Sequence, residues 1–397
     1  MDKDLHADRP LLHWRLLDVR ERMLDLQGRR TEQRIDINAL QQLADAMDDD
    51  GRRGEVAWRR SDLALRTADF RAMESAARQA MVLAERAGDG LLGLRAQHRL
   101  ANALANLGDL QASRAIAQEG LELARDQGLR QIEALFMNAL SVTASQGDLM
   151  ESLAIDQQQL AIDRELGNRR SEATTLGNLG WSWLSLGEHR AAKRHLEEGL
   201  RLIRMVGDRS AETYPLISLS QLALREGENA LALAHAQSAL DIAITVQERR
   251  QEALSLLLLG QANLALGQHA ESTRAFESAY AAATAIKLNQ RYDAAIGLAQ
   301  VALVQGDIAL AMRAIEEPLA HLTAGGVLEG TEQPHLIQLI VHRVLARAGD
   351  PRAAEVLASA HADLQAVAAT ITDLTLRQSY LDNIPEHREI EVAWAQQ

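Results

Sequence analysis

The stretch that decides the fold lies near the middle of the chain and reads Leu179-Gly180-Trp181-Ser182-Trp183-Leu184-Ser185-Leu186-Gly187-Glu188. It joins an apolar run to a glycine that is followed by a polar residue. This glycine turn occurs seven times, at Gly108-Asp109, Gly147-Asp148, Gly187-Glu188, Gly227-Glu228, Gly267-Gln268, Gly306-Asp307 and Gly349-Asp350. Successive glycines are 39, 40, 40, 40, 39 and 43 residues apart, and a constant period of about 20 to 50 residues is typical of stacked repeats.

A second series of turn signals lies midway between these glycines, at Gly88, Gly128, Gly167 and Gly207. Glycine ends a helix readily because it adopts the left-handed backbone conformation, and a following Asp or Asn caps the next helix. Each unit is therefore predicted to contain a first helix, a tight turn, a second helix and a looser turn. The sequence predicts a stack of helical hairpins.

Extending this register in both directions divides the chain into five segments. They are an atypical N-terminal helical hairpin (1–50), a core array (51–322), a loop that is a candidate hinge (323–333), a last hairpin (334–371), and a C-terminal capping helix with a tail (372–397). The capping helix is expected to end at Pro385, because proline cannot continue a helix.

Composition agrees with an all-α protein and narrows its setting. Hydrophobic residues make up 47% of the 397 residues and aromatic residues only 3%, which suits closely packed helices better than strands. The net charge of -13 disfavours direct binding to nucleic acid. There is no cysteine, and the longest apolar run, Ala253 to Gly260, is too short to span a bilayer. We expect a cytoplasmic protein without a membrane anchor.

The unit around Gly180 resembles the tetratricopeptide repeat (TPR). Leu179-Gly180 and Trp183 in the first helix, followed by Ala192, Leu196 and Gly199 in the second, match that family's pattern of large and small residues in order. The resemblance implies a right-handed α-α superhelix of about eight TPR-like hairpins, although the period of about 40 residues in this chain is longer than the family's usual period of about 34. It also implies that the first helix of each hairpin lines the concave side.

Both ends of the chain resemble one particular group of TPR regions. The segments from Leu24 to Gln33 and from Leu376 to Ile390 look like the edges of the MalT-like TPR sensor region found at the C-terminus of bacterial STAND-type signalling NTPases and cyclase-linked regulators. This resemblance implies a signalling NTPase or effector domain as a partner, in the same chain or in another.

Signatures of catalysis are missing from the sequence. None of the three lysines, Lys3, Lys193 and Lys287, follows a glycine, so there is no phosphate-binding loop of the Gly-x-x-x-x-Gly-Lys type. His189 and His195 are six residues apart and lie on different helix faces, which gives no support for a metal site. We expect no enzymatic activity, no cofactor and no metal.

Laying the first helices over one another in register yields the candidate binding surface. One column reads Asp62, Asn102, Ser141, Trp181, Gln221, Gln261 and Gln300, and a second, four residues later, begins Arg66, Asn106 and Ser145 and includes Arg225. Residues four apart share a helix face. With neighbouring positions, the predicted concave groove contains Trp58, Asp62, Arg66, Arg95, His98, Asn102, Asn106, Ser141, Ser145, Trp181, Tyr214, Gln221, Arg225, Gln261 and Gln300.

Two interpretations of these columns remain open. Any solvent-facing helix column is polar, but neutral amides outnumber charged residues in the first column, which favours contact with another polypeptide. Trp181 is the predicted anchor of that contact, whereas Trp183 is assigned to the core. The sequence therefore predicts a noncatalytic protein- or peptide-binding sensor module of a bacterial signalling system. The alternative is a constitutive protein scaffold that uses its convex face or its ends.

Overall fold

The computed structural model describes residues 9–145, 147–328 and 330–396, and its regular elements there are all helical. The first five hairpins are α1 (Arg9–Leu26) with α2 (Arg30–Ala46), α3 (Asp50–Arg66) with α4 (Phe70–Ala87), α5 (Gly90–Asn106) with α6 (Leu110–Asp126), α7 (Arg130–Ala144) with α8 (Leu149–Leu166), and α9 (Arg169–Ser185) with α10 (His189–Val206). After a short 3-10 turn, Ser210–Glu212, come α11 (Thr213–Glu226) with α12 (Asn229–Thr245) and α13 (Arg249–Ala265) with α14 (His269–Ala285). The remaining helices are α15 (Gln290–Gln305), α16 (Ile308–Ala314), α17 (Glu316–Thr323), α18 (Pro334–Ala348), α19 (Arg352–Thr370), α20 (Leu374–Asp382) and α21 (Pro385–Ala395). The stacked helical hairpins predicted from the glycine period are confirmed.

Proline explains two departures from the simple repeat. Pro318 cannot donate a backbone hydrogen bond and its ring clashes with the carbonyl four residues earlier, so the second helix of the eighth hairpin is divided into α16, which ends at Ala314, and α17. From the sequence, Pro385 is expected to end the capping helix; in the structure it begins a further helix. A proline fits the first turn of a helix, where its missing N–H has no partner to lose. The C-terminal segment therefore contains two short helices, α20 and α21.

A repeated ion cluster joins each of three hairpins to the next. Glu172, at the start of α9, is 2% exposed and accepts hydrogen bonds from Arg164 of the preceding helix (2.9 Å) and from Arg169 (2.7 Å). Equivalent clusters surround Glu133 and Glu212. Burial alone would raise the pKa of Glu172, but the two arginines outweigh it and lower that pKa.

The helical ribbon has two edges, and they meet. We call the edge with the tight turns inside hairpins the turn edge, and the edge with the connections between hairpins the junction edge. Gly28, on the turn edge, lies against the junction between α12 and α13, where a Cβ atom at Gly28 would be 2.5 Å from Val246 Cα. Ala68, also on the turn edge, belongs to an apolar cluster that includes Ile286 and Leu288 at the junction between α14 and α15.

Polar contacts join the same edges. Arg66 Nη1 donates to Ser210 Oγ (3.2 Å) and to Glu248 Oε1 (3.3 Å), and Arg250 Nη1 donates to Asn106 Oδ1 (3.0 Å). These partners are 144 to 182 residues apart in sequence. The array is therefore more than a one-dimensional stack, in which each repeat would touch only its neighbours.

The C-terminal helices make a third set of contacts with the turn edge. Ser379 Oγ of α20 donates to Glu188 Oε1 (2.6 Å), and Asn383 Nδ2 donates to the carbonyl oxygen of Gly187 (3.2 Å). Arg225 lies 3.8 Å from Glu386 of α21. Together with the Gly28, Ala68, Arg66 and Asn106 pairings, we call these the edge contacts.

Candidate functional site: the inner face of the superhelix

The first helices of the hairpins line the inside of the curve. Pairs of successive first helices pack directly on each other (α3 with α5, α5 with α7, α9 with α11, α11 with α13, α13 with α15), whereas successive second helices have no comparable contact among the described residues. Helices that approach each other more closely occupy the shorter, inner arc of a curved stack. The inner face is therefore built from the first helices of the hairpins.

Tyr214, at the start of α11, characterises the environment of this face. Its side chain is 53% exposed, yet burial by surrounding protein raises its pKa. Tyr214 lies on the same face of α11 as Gln221, so its exposed ring is presented to the concave interior of the curve. Such an interior is a place where a ligand's polar groups can be bound and its apolar groups buried.

A charged network occupies the N-terminal part of the inner face. Asp62 forms an ion pair with Arg99, whose guanidinium carbon lies 5.8 Å from the ring centroid of Trp58. Burial would raise the pKa of Asp62, but the positive charges of Arg99 and Arg66 outweigh it and lower that pKa. Trp58 and Asp62 are thus half-buried and already partnered, while Arg95 is exposed.

Two amides and a histidine continue the face along α5. His98 is buried, and its ring meets Phe136 edge-on at 5.9 Å between centroids. Burial lowers the pKa of His98 to about 3, so the ring is neutral at physiological pH. Asn102 Nδ2 lies 3.2 Å from His98 Nε2, and Asn106 Nδ2 donates to the Asn102 carbonyl oxygen at 2.8 Å. His98 is therefore packed beneath Asn102 and is not exposed on the inner face.

The structure does not place Ser141 on the inner face. Its hydroxyl is buried, 3.1 Å from Ser152 Oγ of α8. In another hairpin, Ser113 reaches back in the same way to Ala101, so Ser141 is equivalent to Ala101 and not to Asn102. Counting back from Gly147 gave the wrong register, because α7 and its turn to α8 are shorter than in the preceding hairpin. Val142, which is 37% exposed, takes the outward position that was expected of Ser141.

The other predicted residues lie further along the face or at its edge. Trp181 is half-buried and packs on the large apolar cluster of the central hairpins, and Gln261 Nε2 donates to Gln333 Oε1 at 2.9 Å. Arg225 Nη1 donates to the Leu184 carbonyl oxygen at 2.5 Å. Gln221 and Gln300 are half-buried, and Ser145 caps its own helix end through the Val142 carbonyl oxygen.

Several residues of the edge contacts were not anticipated from the sequence. Ser210, Glu248 and Arg250 lie in turns or at helix starts, outside the columns of the first helices. Glu248 is 1% exposed, and burial raises its pKa despite the nearby charge of Arg66. No local pattern identifies these partners, because they meet only when the ribbon curves back on itself.

A separate cavity lies on the outer side of the array. It has a volume of about 560 Å³ and opens between the second helices α10 and α12, over Leu219, Leu222 and Ala223 of α11. Its rim is charged, with Lys193, Arg201, Arg204, Glu197, Glu226 and Glu228. Met205, which also lines it, is 74% exposed.

Neither a metal centre nor a membrane span occurs in the part of the chain that the structure describes. Within residues 9–145, 147–328 and 330–396, no group of three or more His, Asp and Glu side chains converges as a metal site requires. No helix in those ranges combines the length and apolarity needed to cross a bilayer.

Comparison with known proteins places the chain in a structural class. Residues 133–205, which span α7 to α10, match the family model described as tetratricopeptide repeat. A Rap protein complexed with competence and sporulation factor is similar in structure, with a TM-score of 0.59 and 14% sequence identity over 87% of this chain and 99% of that one. No curated protein shows a significant match in sequence.

Two other solved structures are similar over most of the chain. The apo form of the quorum sensor NprR from B. thuringiensis has a TM-score of 0.52 and 13% identity, over 86% of this chain and 97% of that one. A STAND protein with a tetratricopeptide repeat sensor, from Pyrococcus horikoshii, has a TM-score of 0.50 and 14% identity, over 81% of this chain and 52% of that one. The described part of the chain is therefore a solenoid of helical hairpins with the fold of tetratricopeptide-repeat proteins, and its residues 133–205 match the repeat family.

Proposed function

We propose that this protein is a noncatalytic sensor module of a bacterial signalling system that binds a peptide or an extended protein segment on its inner face. The observation that carries the proposal is the position of Tyr214, which is 53% exposed and lies on the same face of the first helix α11 as the half-buried amide of Gln221. An accessible aromatic ring in a confined, amide-lined interior is suited to anchor a polypeptide.

The lining of the interior supports a polypeptide ligand. Gln221 lies two helical turns from Tyr214 on the same face of α11, and Trp181 lies on the neighbouring first helix α9. Side-chain amides can satisfy the N–H and C=O groups of an extended chain, while the aromatic rings bury its side chains. Arg66, whose charge acts on Tyr214, is already paired with Ser210 and Glu248 in the edge contacts.

The similar structures support the same class of ligand. One of them is a Rap protein in complex with competence and sporulation factor, and another is described as a quorum sensor. The similarity to a STAND protein with a TPR sensor agrees with a signalling NTPase or another effector as the partner that responds to binding. We propose a cytoplasmic location, with no cofactor and no direct contact with nucleic acid.

Selection from a random peptide library provides the test, because it samples many ligand sequences at once. Peptides selected on the purified chain are measured by fluorescence anisotropy against wild type and the double variant Tyr214→Ala/Gln221→Ala. Since truncation of a central aromatic anchor costs about 2 kcal/mol or more, we expect binding to weaken at least about 30-fold. Leu231 is an exposed residue that lines the outer cavity; Leu231→Ser is the matched control and should bind as wild type does.

A scaffold that binds partners through its convex face is the second candidate. The cavity of about 560 Å³ between α10 and α12 favours it, because its floor is apolar and Met205 at its margin is exposed. In that case Leu231→Ser weakens binding and Tyr214→Ala/Gln221→Ala leaves it unchanged. This outcome would refute the inner-face proposal.

A further inference from the structure

One interface between hairpins differs in chemistry from five equivalent ones. Four positions on each second helix form its inward stripe against the next hairpin. In five hairpins these residues are small or apolar, apart from two serines: Met73, Ala77, Ala80 and Ala84; Ser113, Ala117, Gly120 and Ala124; Ala192, Leu196, Gly199 and Ile203; Ala232, Ala236, Ala239 and Ala243; Ser272, Phe276, Ala279 and Ala283. In α8 the same stripe is Ser152, Asp156, Gln159 and Asp163. We call the interface of α8 with α7 and α9 the polar seam.

The polar seam is as deeply buried as its apolar equivalents. Ser152, Asp156, Gln159 and Asp163 are 0 to 2% exposed. Thr175 Oγ1 of α9 donates to Asp163 Oδ2 at 2.7 Å. The other oxygen of Asp163, both oxygens of Asp156 and Oε1 of Gln159 have no hydrogen-bond partner among the described residues. An unpartnered polar atom in a protein interior is costly, and an unpartnered charge is more costly still.

Within the described residues, no positive charge compensates Asp156. The Ser141 hydroxyl of α7 and the Asn178 side chain of α9 lower its pKa, but burial outweighs them and raises that pKa to about 7. The arginines of the surrounding helices are committed to other ion pairs: Arg114 with Glu151, Arg130 with Glu133 and Glu165, Arg164 with Glu172 and Glu198, Arg169 with Glu172, and Arg170 with Asp208.

Asp163 is the only other titratable group in the stripe. Burial raises its pKa as well, and the negative charge of Glu172 adds to that effect, although the Ser171 side chain and the hydrogen bond from Thr175 oppose it. Asp163 accepts a hydrogen bond from Thr175, whereas Asp156 has no donor within hydrogen-bonding geometry among the described residues. Asp156 is therefore the less stabilised of the two buried carboxyl groups.

We propose that the polar seam is a hinge, at which hairpins one to four move against hairpins five to nine when Asp156 loses its proton. The charged carboxylate has no positively charged partner among the described residues of the closed interface, so separation of α8 from α9 and entry of water stabilise it. The edge contacts couple this movement to the whole superhelix. Arg66 and Gly28 on one side of the hinge touch Glu248 and Val246 on the other, so opening the seam must strain or release them.

Hydrogen–deuterium exchange on the full chain at pH 5.5 and pH 8.5 tests the hinge without any ligand. Exchange times are scaled for the intrinsic pH dependence of amide exchange. With a pKa of about 7 for buried Asp156 against 3.8 in an open state, the opening equilibrium should be about 30-fold more favourable at the higher pH. We expect this acceleration in the amides of 149–185.

Two variants separate the hinge from a general effect of pH. Asp156→Asn keeps the shape of the neutral carboxyl, and Asp156→Leu introduces the residue found at the equivalent position, Leu196; both should abolish the pH-dependent acceleration. Asp293→Asn is the matched control, because burial also raises the pKa of Asp293, to about 8, at a site outside the seam. It should leave the response of 149–185 intact.

The proposal fails if the corrected exchange of 149–185 is the same at both pH values, or if the two Asp156 variants respond to pH as wild type does. Neither result depends on whether a peptide binds the inner face. The comparison between the two pH values uses wild type alone, so it can refute the proposal even if a variant does not fold.

Discussion

Replacing Gly187 with alanine should detach the C-terminal helices from the turn edge. A Cβ atom at this position would lie 2.5 Å from the backbone carbonyl oxygen of Ser379 and 3.1 Å from Asn383 Cβ. The substitution also forces a side chain into the left-handed region, since φ of Gly187 is 78°, and this alone costs about 1 to 2 kcal/mol.

Gly207→Ala isolates the cost of the contact. Gly207 has a φ of 79°, and an added Cβ atom there meets nothing within 4 Å among the described residues, so this variant carries only the backbone cost. The Gly187 variant must in addition lose the hydrogen bond from Asn383 Nδ2 (3.2 Å) and the bond from Ser379 Oγ to the Glu188 carboxylate (2.6 Å). A neutral hydrogen bond contributes about 1 kcal/mol and one to a charged group about 2 kcal/mol, so we expect a difference of about 3 kcal/mol.

Limited proteolysis at native conditions and urea unfolding together measure this difference. In Gly187→Ala, cleavage within α20 and α21 should be faster by about two orders of magnitude than in Gly207→Ala, because local release exposes these helices. If the two variants are cleaved at the same rate and unfold at the same urea concentration, α20 does not depend on the turn edge and the C-terminal helices do not help to close the superhelix.

Two further substitutions test other parts of the closed superhelix. Arg66→Ala leaves the buried carboxylate of Glu248 with less positive charge beside it, so it should lower the free energy of unfolding by about 3 kcal/mol. The control Arg78→Ala removes an exposed ion pair with Glu74 and should change that free energy by less than about 1 kcal/mol. Equal losses in urea unfolding would contradict the role of the edge contacts. Asp156→Asn should flatten the pH dependence of stability. The pKa of Asp156 is raised from 3.8 to about 7 in the folded protein, so its protonation favours folding at low pH, and this contribution is lost as the pH rises through 7. The free energy of unfolding of wild type should therefore fall by about 3 kcal/mol between pH 5 and pH 8, whereas that of the variant should not. Parallel pH profiles for the two proteins in chemical denaturation would show that Asp156 does not titrate in this way.

The repeat and its hairpins follow directly from local sequence. The glycine turns and the acidic caps act within a few residues, so their spacing predicts where helices end; Asp109, for example, accepts from the Ala112 backbone N–H at the start of α6. The position of the first helices on the inner face also follows from the TPR pattern. The orientation of a single side chain is harder to predict, and Ser141 shows why: the register depends on the length of each turn, which is not constant.

Contacts between distant parts of the chain could not be predicted from the sequence. Arg66 and Glu248 are brought together by the accumulated curvature of five hairpins, and small rotations at each interface decide which residues meet. Ala68, Gln247 and Lys287 hint at this closure, because they have positive φ values of 56° or 57° without being glycine and lie at or beside the edge contacts. Such backbone strain persists where the surrounding structure holds it in place.

The residues of the polar seam, in contrast, stand out when the second helices are aligned in register. In that alignment, the positions equivalent to Asp156 and Asp163 in the other second helices are occupied by alanine, leucine, phenylalanine and isoleucine. Their full burial required the structure, because an isolated Asp on a helix is normally solvent-exposed.

The footprint of a library-selected peptide on the chain tests the central proposal most directly. Hydrogen–deuterium exchange with and without the peptide should show protection in the first helices α9, α11 and α13, around Trp181, Tyr214 and Gln261, with α10 and α12 unchanged. Protection confined to α10 and α12, around the outer cavity, would contradict binding on the inner face.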